Sequence, residues 1–452
     1  MSIQIDCFKA YDIRGRIPDQ LNSDIAYRVA NATAAFLGAK RVVLGRDIRQ
    51  SSDELADAVA KGLIDAGVEV LDVGVGGTEM VYFATGYLEA DGGIMVTASH
   101  NPADYNGLKL VRAESRPISG DTGLSDIRDI AERDDRLIAA TAGHRRQIEI
   151  GQSYHAKLLG FVDLEVLKPL RIVVNAGNGG AGPTIDNLET SLPFEFIKVH
   201  HDPDGSFPNG VPNPMIEENR ASTIDAIREH KADFGIAWDG DFDRCFFFDE
   251  NGRFIEGYYI VGLLAKLLLK QSPGSAIIYD PRLTWNTLEV VSENGGRPVQ
   301  SKSGHSFIKQ VMREEDAVYG GEMSAHHYFR DFYYCDSGMI PWLLVSQLVS
   351  ISGKSLSTLV DDCMEKFPAS GEVNLKVADV AAAIAAISEK YAAKADAVDR
   401  TDGISMDFGD WRFNLRASNT EPVIRLNVES RADNKLMQDR LEELLSDLER
   451  LA

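Results

Sequence analysis

Three times along this chain, a short apolar strand is followed by a helix, a strand, a helix and a third strand that runs straight into polar residues. The units begin near residues 41, 170 and 275. In the first, strands at Arg41–Leu44, Glu69–Val73 and Gly93–Val96 lead into Thr97-Ala98-Ser99-His100-Asn101-Pro102. In the second, Leu170–Asn175, Glu195–Val199 and Phe234–Trp238 lead into Asp239-Gly240-Asp241-Phe242-Asp243-Arg244. In the third, Ala276–Tyr279, Arg297–Gln300 and Ala317–Tyr319 lead into a Gly-led run ending at His326-His327. Strands alternating with helices build a largely parallel sheet, and such sheets bind ligands beyond the carboxyl ends of their strands. Units that share a fold place their third-strand loops equivalently, so the three loops can converge on one cleft.

After Pro368 the pattern changes. Val373–Lys376, Gly403–Asp407, Trp411–Leu415 and Val423–Val428 alternate like antiparallel strands, with helices at Val380–Lys394 and Asn434–Leu451. Lys9–Gly15 reads as a polar loop, 128–160 as a charged helical connector and Arg330–Ile351 as helix. The expected fold class is therefore α/β: three similar α/β domains with mixed sheets and a C-terminal α+β domain. The expected boundaries are 1–150, 151–255, 256–367 and 368–452.

At 452 residues and 44% hydrophobic, the chain can bury several cores. A formal net charge of −22 argues against a nucleic-acid or anionic-membrane partner. Cys7, Cys245, Cys335 and Cys363 are too scattered for a disulfide framework or a zinc knuckle, which suits a reducing compartment. Met1–Lys9 lacks a signal pattern, and the apolar stretches Tyr258–Leu269 and Met339–Ser352 are short or interrupted. The expectation is a soluble cytoplasmic protein.

Asp239, Asp241 and Asp243 crowd three carboxylates together, which is costly unless a cation sits among them. Oxygen-only ligands favour magnesium or calcium. The alternative is a solvated acidic turn. An EF-hand is excluded, because Arg244 stands where that loop requires glycine and strands flank the segment. Ser99 is a small hydroxyl beside His100 on a loop that Pro102 keeps from continuing the strand; the plain alternative is an ordinary turn. No Gly-x-Ser-x-Gly elbow surrounds it, which disfavours a serine hydrolase. A phosphoryl group on Ser99 would give the ion a further ligand. Arg416, Ser418, Asn419 and Thr420 suit a phosphate, or form a capped turn. Glu322 and Ser324 offer an acceptor and a donor for vicinal hydroxyls. His326 and His327 suit ligands, acid–base groups or satisfied polar residues.

Taken together, Thr97–Pro102, Asp239–Arg244, Gly321–His327 and Arg416–Pro422 resemble the α-D-phosphohexomutases, over the whole chain and in the right order. The resemblance implies four domains around a central active-site cleft. It implies Ser99 stored as phosphoserine and magnesium held by Ser99, Asp239, Asp241 and Asp243. Sugar contacts from Glu322 and Ser324 are implied, with His326 beside them, and a phosphate grip from Arg416, Ser418, Asn419 and Thr420. By the same likeness Tyr11, Arg14, His100, Lys109, Arg244, Arg282 and His305 line the cleft. The implied reaction moves a phosphoryl group between O1 and O6 of a hexose, activated by a hexose 1,6-bisphosphate. Lys109 and His100 are both candidates for the base. Met323 favours mannose or glucose phosphates, since glucosamine enzymes usually carry Gln there. A phosphoglucosamine mutase and a non-catalytic metal-dependent sugar-binding module remain as alternatives, and the oligomeric state is open. One departure from the family pattern is Asn209-Gly210-Val211, where many relatives carry a histidine before Pro-Asn-Pro.

Overall fold

The computed structural model describes residues 3–418 and 423–450. The chain divides into two units, Met1–Phe254 with Asp331–Ser355, and Ile255–Arg330 with Leu356–Ala452. In the first unit β1 (Ile13–Arg16), β2 (Arg41–Arg46), β3 (Glu69–Val75), β4 (Gly92–Val96), β5 (Tyr105–Arg112) and β6 (His144–Gln147) pair in the order β1-β5-β4-β2-β3-β6. The pairings β4-β2-β3-β6 are parallel, and β5 pairs antiparallel with both β4 and β1. α1 (Ser23–Leu37) and α2 (Ser52–Asp65) cover one face, so Val42, Leu44, Ile94 and Val96 share a core with Val29 and Leu63. α1 starts where the Asn22 side chain accepts from the backbone N–H groups of Asp24 and Ile25. It stops at Gly38, which takes the left-handed conformation at φ 58°. α3 (Thr78–Tyr87) follows β3.

A second sheet of the same unit contains β7 (Arg171–Asn175), β8 (Glu195–Val199), β9 (Phe234–Trp238) and β10 (Cys245–Phe248), ordered β10-β9-β7-β8. In the second unit β11 (Ala276–Tyr279), β12 (Arg297–Gln300), β13 (Tyr319–Gly321) and β14 (His327–Phe329) pair as β14-β13-β11-β12. This is the order of β5-β4-β2-β3, with the same parallel and antiparallel neighbours. The expected threefold recurrence is therefore present in topology, and each third strand lies between its parallel partner and an antiparallel return strand.

The last sheet, in the second unit, is wholly antiparallel: β15 (Val373–Leu375), β16 (Ala397–Asp399), β17 (Ile404–Asp407), β18 (Trp411–Ala417) and β19 (Ile424–Ser430), ordered β15-β19-β18-β17-β16. Its two central strands alternate strictly. Phe413, Leu415, Ile424, Leu426 and Val428 enter a core with Ile387 and Leu444 of two covering helices. Arg412, Asn414, Arg416, Arg425, Asn427 and Glu429 fall on the other face, as the two-residue period of a strand requires.

Several elements differ from the sequence expectation. Ile13–Arg16 is a strand rather than a loop, with Ile13 fully buried opposite Leu108. His144–Gln147 is a strand inside the expected helical connector. Its arginines are matched by the neighbouring strand, Arg145 to Asp72 at 2.7 Å and Arg146 to Glu69 at 3.1 Å. Ala397–Asp399 is an unforeseen edge strand. Arg330–Ile351 is not helical throughout: the helix begins at Ile340. Among the described residues no single helix is long and apolar enough to cross a membrane.

Candidate functional site

The five residues of β4 are all buried, so the strand ends as a fixed rod and Ser99 is placed three residues beyond it. Ser99 is only 3% exposed and takes φ +49°, a left-handed conformation that costs a non-glycine residue roughly 1 kcal/mol. The loop is held there by Arg49. One of its terminal nitrogens donates to the carbonyls of Ser99 (2.8 Å) and Asn101 (2.6 Å), and the other to those of Pro102 (2.7 Å) and Tyr105 (3.0 Å). Arg14, on β1, donates to Asp12 at 2.8 Å and to the Asn101 side chain at 2.5 Å. Tyr11 lies half-buried just before β1.

From the second sheet of the same unit, β9 delivers the acidic loop to Ser99. The Ser99 hydroxyl donates to Asp239 Oδ2 at 2.7 Å, and His100 Nδ1 is 3.1 Å from the same hydroxyl. A Cβ on Gly240 would lie 2.6 Å from the Ser99 carbonyl oxygen, so only glycine permits this approach. Arg244 donates to Asp239 Oδ2 through Nε at 2.9 Å and Nη2 at 2.6 Å, and also bonds His100 Nδ1. Lys109, on β5, donates to Asp241 at 2.7 Å and Asp243 at 2.6 Å.

Asp239, Asp241 and Asp243 are buried, and each offers an oxygen within 4.8 Å of the others'. Asp241 Oδ1 is buried with no hydrogen-bond partner. An orphaned carboxylate oxygen in an all-oxygen cluster fits a hard divalent cation. Burial raises the Asp241 carboxyl, but Lys109, Thr78 and Arg14 outweigh it and hold the group below its ordinary value. Asp243 sits well above its ordinary value, pushed first by burial and then by Asp241. Burial works against the Lys109 charge, yet the two carboxylates raise it. His100 lies well below its ordinary value because of burial, then Arg244 and Arg14.

A second cluster forms within the other unit. Arg282, just past β11, grips Asp280 through both ends of its fork, with Nε and Nη2 each at 2.9 Å. The same guanidinium reaches Glu372 at 3.2 Å and, at 3.3 Å, both Glu322 and Ser324. Glu322 also accepts from Tyr328 at 2.5 Å and from the Gly304 N–H at 2.9 Å. Burial raises its carboxyl in spite of Arg282. His326 Nδ1 is 3.3 Å from the Ser324 hydroxyl, and His305 opens the helix α4 (His305–Glu314). His327 is instead a core residue. It bonds the Tyr319 hydroxyl at 2.7 Å, and burial pushes it down to about 3.

Arg416 and Arg425 are cross-strand partners on the polar face of β18 and β19. Two cations so placed repel, and Glu372 sits with both, 3.0 Å from Arg425 and 3.7 Å from Arg416. Burial raises Glu372, but Arg282, Arg425 and Arg416 more than reverse this. Arg416 is thus on a strand rather than in the expected loop. Ser418 follows that strand and donates its N–H to the Val423 carbonyl at 2.9 Å. Asn419 and Thr420 lie outside the described residues.

So the first unit assembles Ser99, His100, Lys109, Arg244, Arg14 and the three aspartates, and the second assembles Arg282, Glu322, Ser324, His326 and Arg416. Sequence reasoning misses Arg49, Thr78 and Glu372. Arg49 belongs to a polar loop that follows a strand, and Gly76-Gly77 ahead of Thr78 marks a close backbone approach. Glu372, after Gly371 at a strand start, carries no local signal.

Four family models match the chain. They are the phosphoglucomutase/phosphomannomutase alpha/beta/alpha domains I (residues 6–137), II (152–252) and III (256–367), and the C-terminal domain (372–446). A phosphomannomutase of Salmonella montevideo is 60% identical over 448 residues, 98% of either chain. A protein of Xanthomonas campestris pv. campestris described as "Phosphohexose mutases" is 59% identical over 444 residues, covering 97% of this chain and 98% of that one. A solved phosphoglucomutase/phosphomannomutase family protein from Burkholderia thailandensis superposes with a TM-score of 0.89 at 33% identity, covering 99% of this chain and 98% of that one.

Proposed function

The chain belongs to the phosphoglucomutase/phosphomannomutase family, and on that premise we propose that it is a phosphomannomutase, an isomerase that interconverts mannose 6-phosphate and mannose 1-phosphate and also accepts the glucose phosphates. Ser99 would be stored as phosphoserine. Its phosphoryl group passes to the free hydroxyl of the hexose monophosphate: the bond from phosphorus to Ser99 Oγ breaks, the bond to the sugar oxygen forms, the hydroxyl proton leaves to a base, and Ser99 Oγ takes up a proton to become the free hydroxyl. The resulting 1,6-bisphosphate turns end for end, and its other phosphoryl group returns to Ser99. A hexose 1,6-bisphosphate therefore also serves as activator, because it reloads a dephosphorylated serine.

Asp239, Asp241 and Asp243, with the phosphoserine, would hold magnesium, which when bound supplies charge neutralisation at the transferring group. Arg244, already in contact with the Ser99 hydroxyl at 3.4 Å, is placed to take part of that charge. His100 and Lys109 remain the two candidates for the base, each within bonding distance of this cluster. Tyr11 and Arg14 would line the same site. In the second unit Glu322 and Ser324 present an acceptor and a donor suited to sugar hydroxyls, with Arg282, His305 and His326 around them. Arg416, Ser418, Asn419 and Thr420 would grip the non-reacting phosphate. Residues 1–150, 151–255, 256–367 and 368–452 would be the four domains. The four cysteines, all free thiols, suit the cytoplasm.

One observation carries the reading: the Ser99 hydroxyl donates at 2.7 Å to a member of a buried aspartate trio. The test is phosphorus NMR on mannose 1-phosphate with magnesium and a trace of hexose 1,6-bisphosphate. Wild-type protein should build up the 6-phosphate, and Ser99→Ala should not. A panel of mannose, glucose and glucosamine phosphates then fixes the preference.

A further inference from the structure

We propose that Thr78 is a positioning residue for the cation site. Its hydroxyl fixes the Asp241 carboxylate by one oxygen, so that the other oxygen is the one offered to the ion. The inference rests on reading the aspartate trio as a cation site.

The chain leaves β3 through Gly76-Gly77 and turns at once into α3. A Cβ on Gly77 would lie 2.4 Å from the Phe242 ring and 2.6 Å from the Asp241 carbonyl oxygen, so glycine lets this turn press directly on the acidic loop. The first N–H groups of a helix have no partner within it. That of Thr78 donates to the Asp241 carbonyl at 3.1 Å, which ties the main chain of the aspartate. The Thr78 hydroxyl donates to Asp241 Oδ2 at 2.5 Å and accepts from Lys109 at 3.3 Å, which ties the side chain and fixes the direction of the hydroxyl. Asp241 Oδ2 is thereby committed, and Oδ1 is left buried and unpartnered. A carboxylate turns about its last bond unless something holds one oxygen. Thr78 and Lys109 hold the same one.

The platform is itself anchored. Glu79, the next residue, accepts from Tyr154 (2.5 Å), Ser337 (3.0 Å) and the N–H groups of Gly338 (2.7 Å) and Met339 (3.2 Å), all within the first unit. A helix start locked on that side cannot drift, so the hydroxyl beside it aims at a constant point. Groups that orient metal-binding carboxylates in this way typically change metal affinity about 10- to 100-fold when removed.

The experiment is direct titration of the full-length protein with Mn²⁺, with free ion read by electron paramagnetic resonance. Thr78→Val keeps the shape and removes the hydroxyl, Thr78→Ser restores the hydroxyl, and Asp241→Asn removes the ligand. Thr78→Val should weaken Mn²⁺ about 10-fold and raise the Mn²⁺ needed for half-maximal turnover alike, with KM for sugar phosphate unchanged, while Thr78→Ser stays within about 3-fold of wild type. Thr78→Ala answers the same question should the valine variant not fold. Wild-type affinity in Thr78→Val alongside loss in Asp241→Asn would overturn the role of Thr78 alone. Equal weakening in the valine and serine variants would also overturn it, since a hydroxyl kept by serine would then not keep the affinity. Undiminished binding by Asp241→Asn would instead remove the cation reading itself.

Discussion

The two clusters of polar residues are built on opposite plans. Around Ser99 the protein concentrates buried carboxylates, three from one loop, and meets them with Lys109 and Arg244. Around Glu372 it gathers guanidinium groups, Arg282, Arg416 and Arg425, which share that carboxylate, and Arg282 is held further by Asp280 and Glu322. The first arrangement suits a cation and a group transferred through a covalent bond. The second has donors in fixed forks and suits an anion that is held and never broken. The difference divides labour: damage in the first cluster should appear in kcat, and damage in the second in KM.

The largest effect expected is from Ser99→Ala, a loss in kcat of about 10⁴-fold or more, because the group proposed to carry phosphate is gone. Equal loss from any residue of the second cluster would break the division. Asp241→Asn, or removal of divalent metal with EDTA, should lower kcat about 10³-fold, and magnesium should restore the chelated wild type but not the variant. Arg416→Lys keeps the charge and loses the fork, so KM for mannose 6-phosphate should rise about 10-fold with kcat within about 3-fold.

The smallest effect concerns stability. Burial pushes the Glu79 carboxyl up to about 8 from an ordinary 4.5, in spite of its four donors. The folded protein therefore keeps a proton that the unfolded chain releases between those values, and stability falls as pH rises from about 4.5 to about 8. The wild-type melting temperature should drop by a few degrees across that window, and Glu79→Gln should remove this part of the slope.

The two clusters also differ in how plainly the amino-acid sequence announces them. Ser99 and the three aspartates stand out because each belongs to a polar run at the end of an apolar strand, where local sequence alone changes abruptly. Arg416 stands out for its charge but not for its strand position, since the alternation of β18 continues two residues past Leu415. Glu372 gives no such sign, and those of Arg49, in a polar loop after a strand, and Thr78, after Gly76-Gly77, do not say which partner they serve. Each acts on a partner far away in sequence, Asp241 being 163 residues from Thr78. The strands at Ile13–Arg16 and His144–Gln147 are hidden for a related reason. Their charged side chains have partners far along the chain, Asn101 and Asp104 for Arg14 and Arg16, and Asp72 and Glu69 for Arg145 and Arg146, and neither shows the alternation of apolar residues by which a strand is recognised.

The most direct test is to load the protein with a hexose 1,6-bisphosphate carrying radioactive phosphate, map the labelled peptide, and then add unlabelled mannose 6-phosphate. Label confined to Ser99 that chases completely into hexose phosphate is the predicted result. Label on any other residue, or label on Ser99 that the sugar phosphate cannot remove, would contradict it.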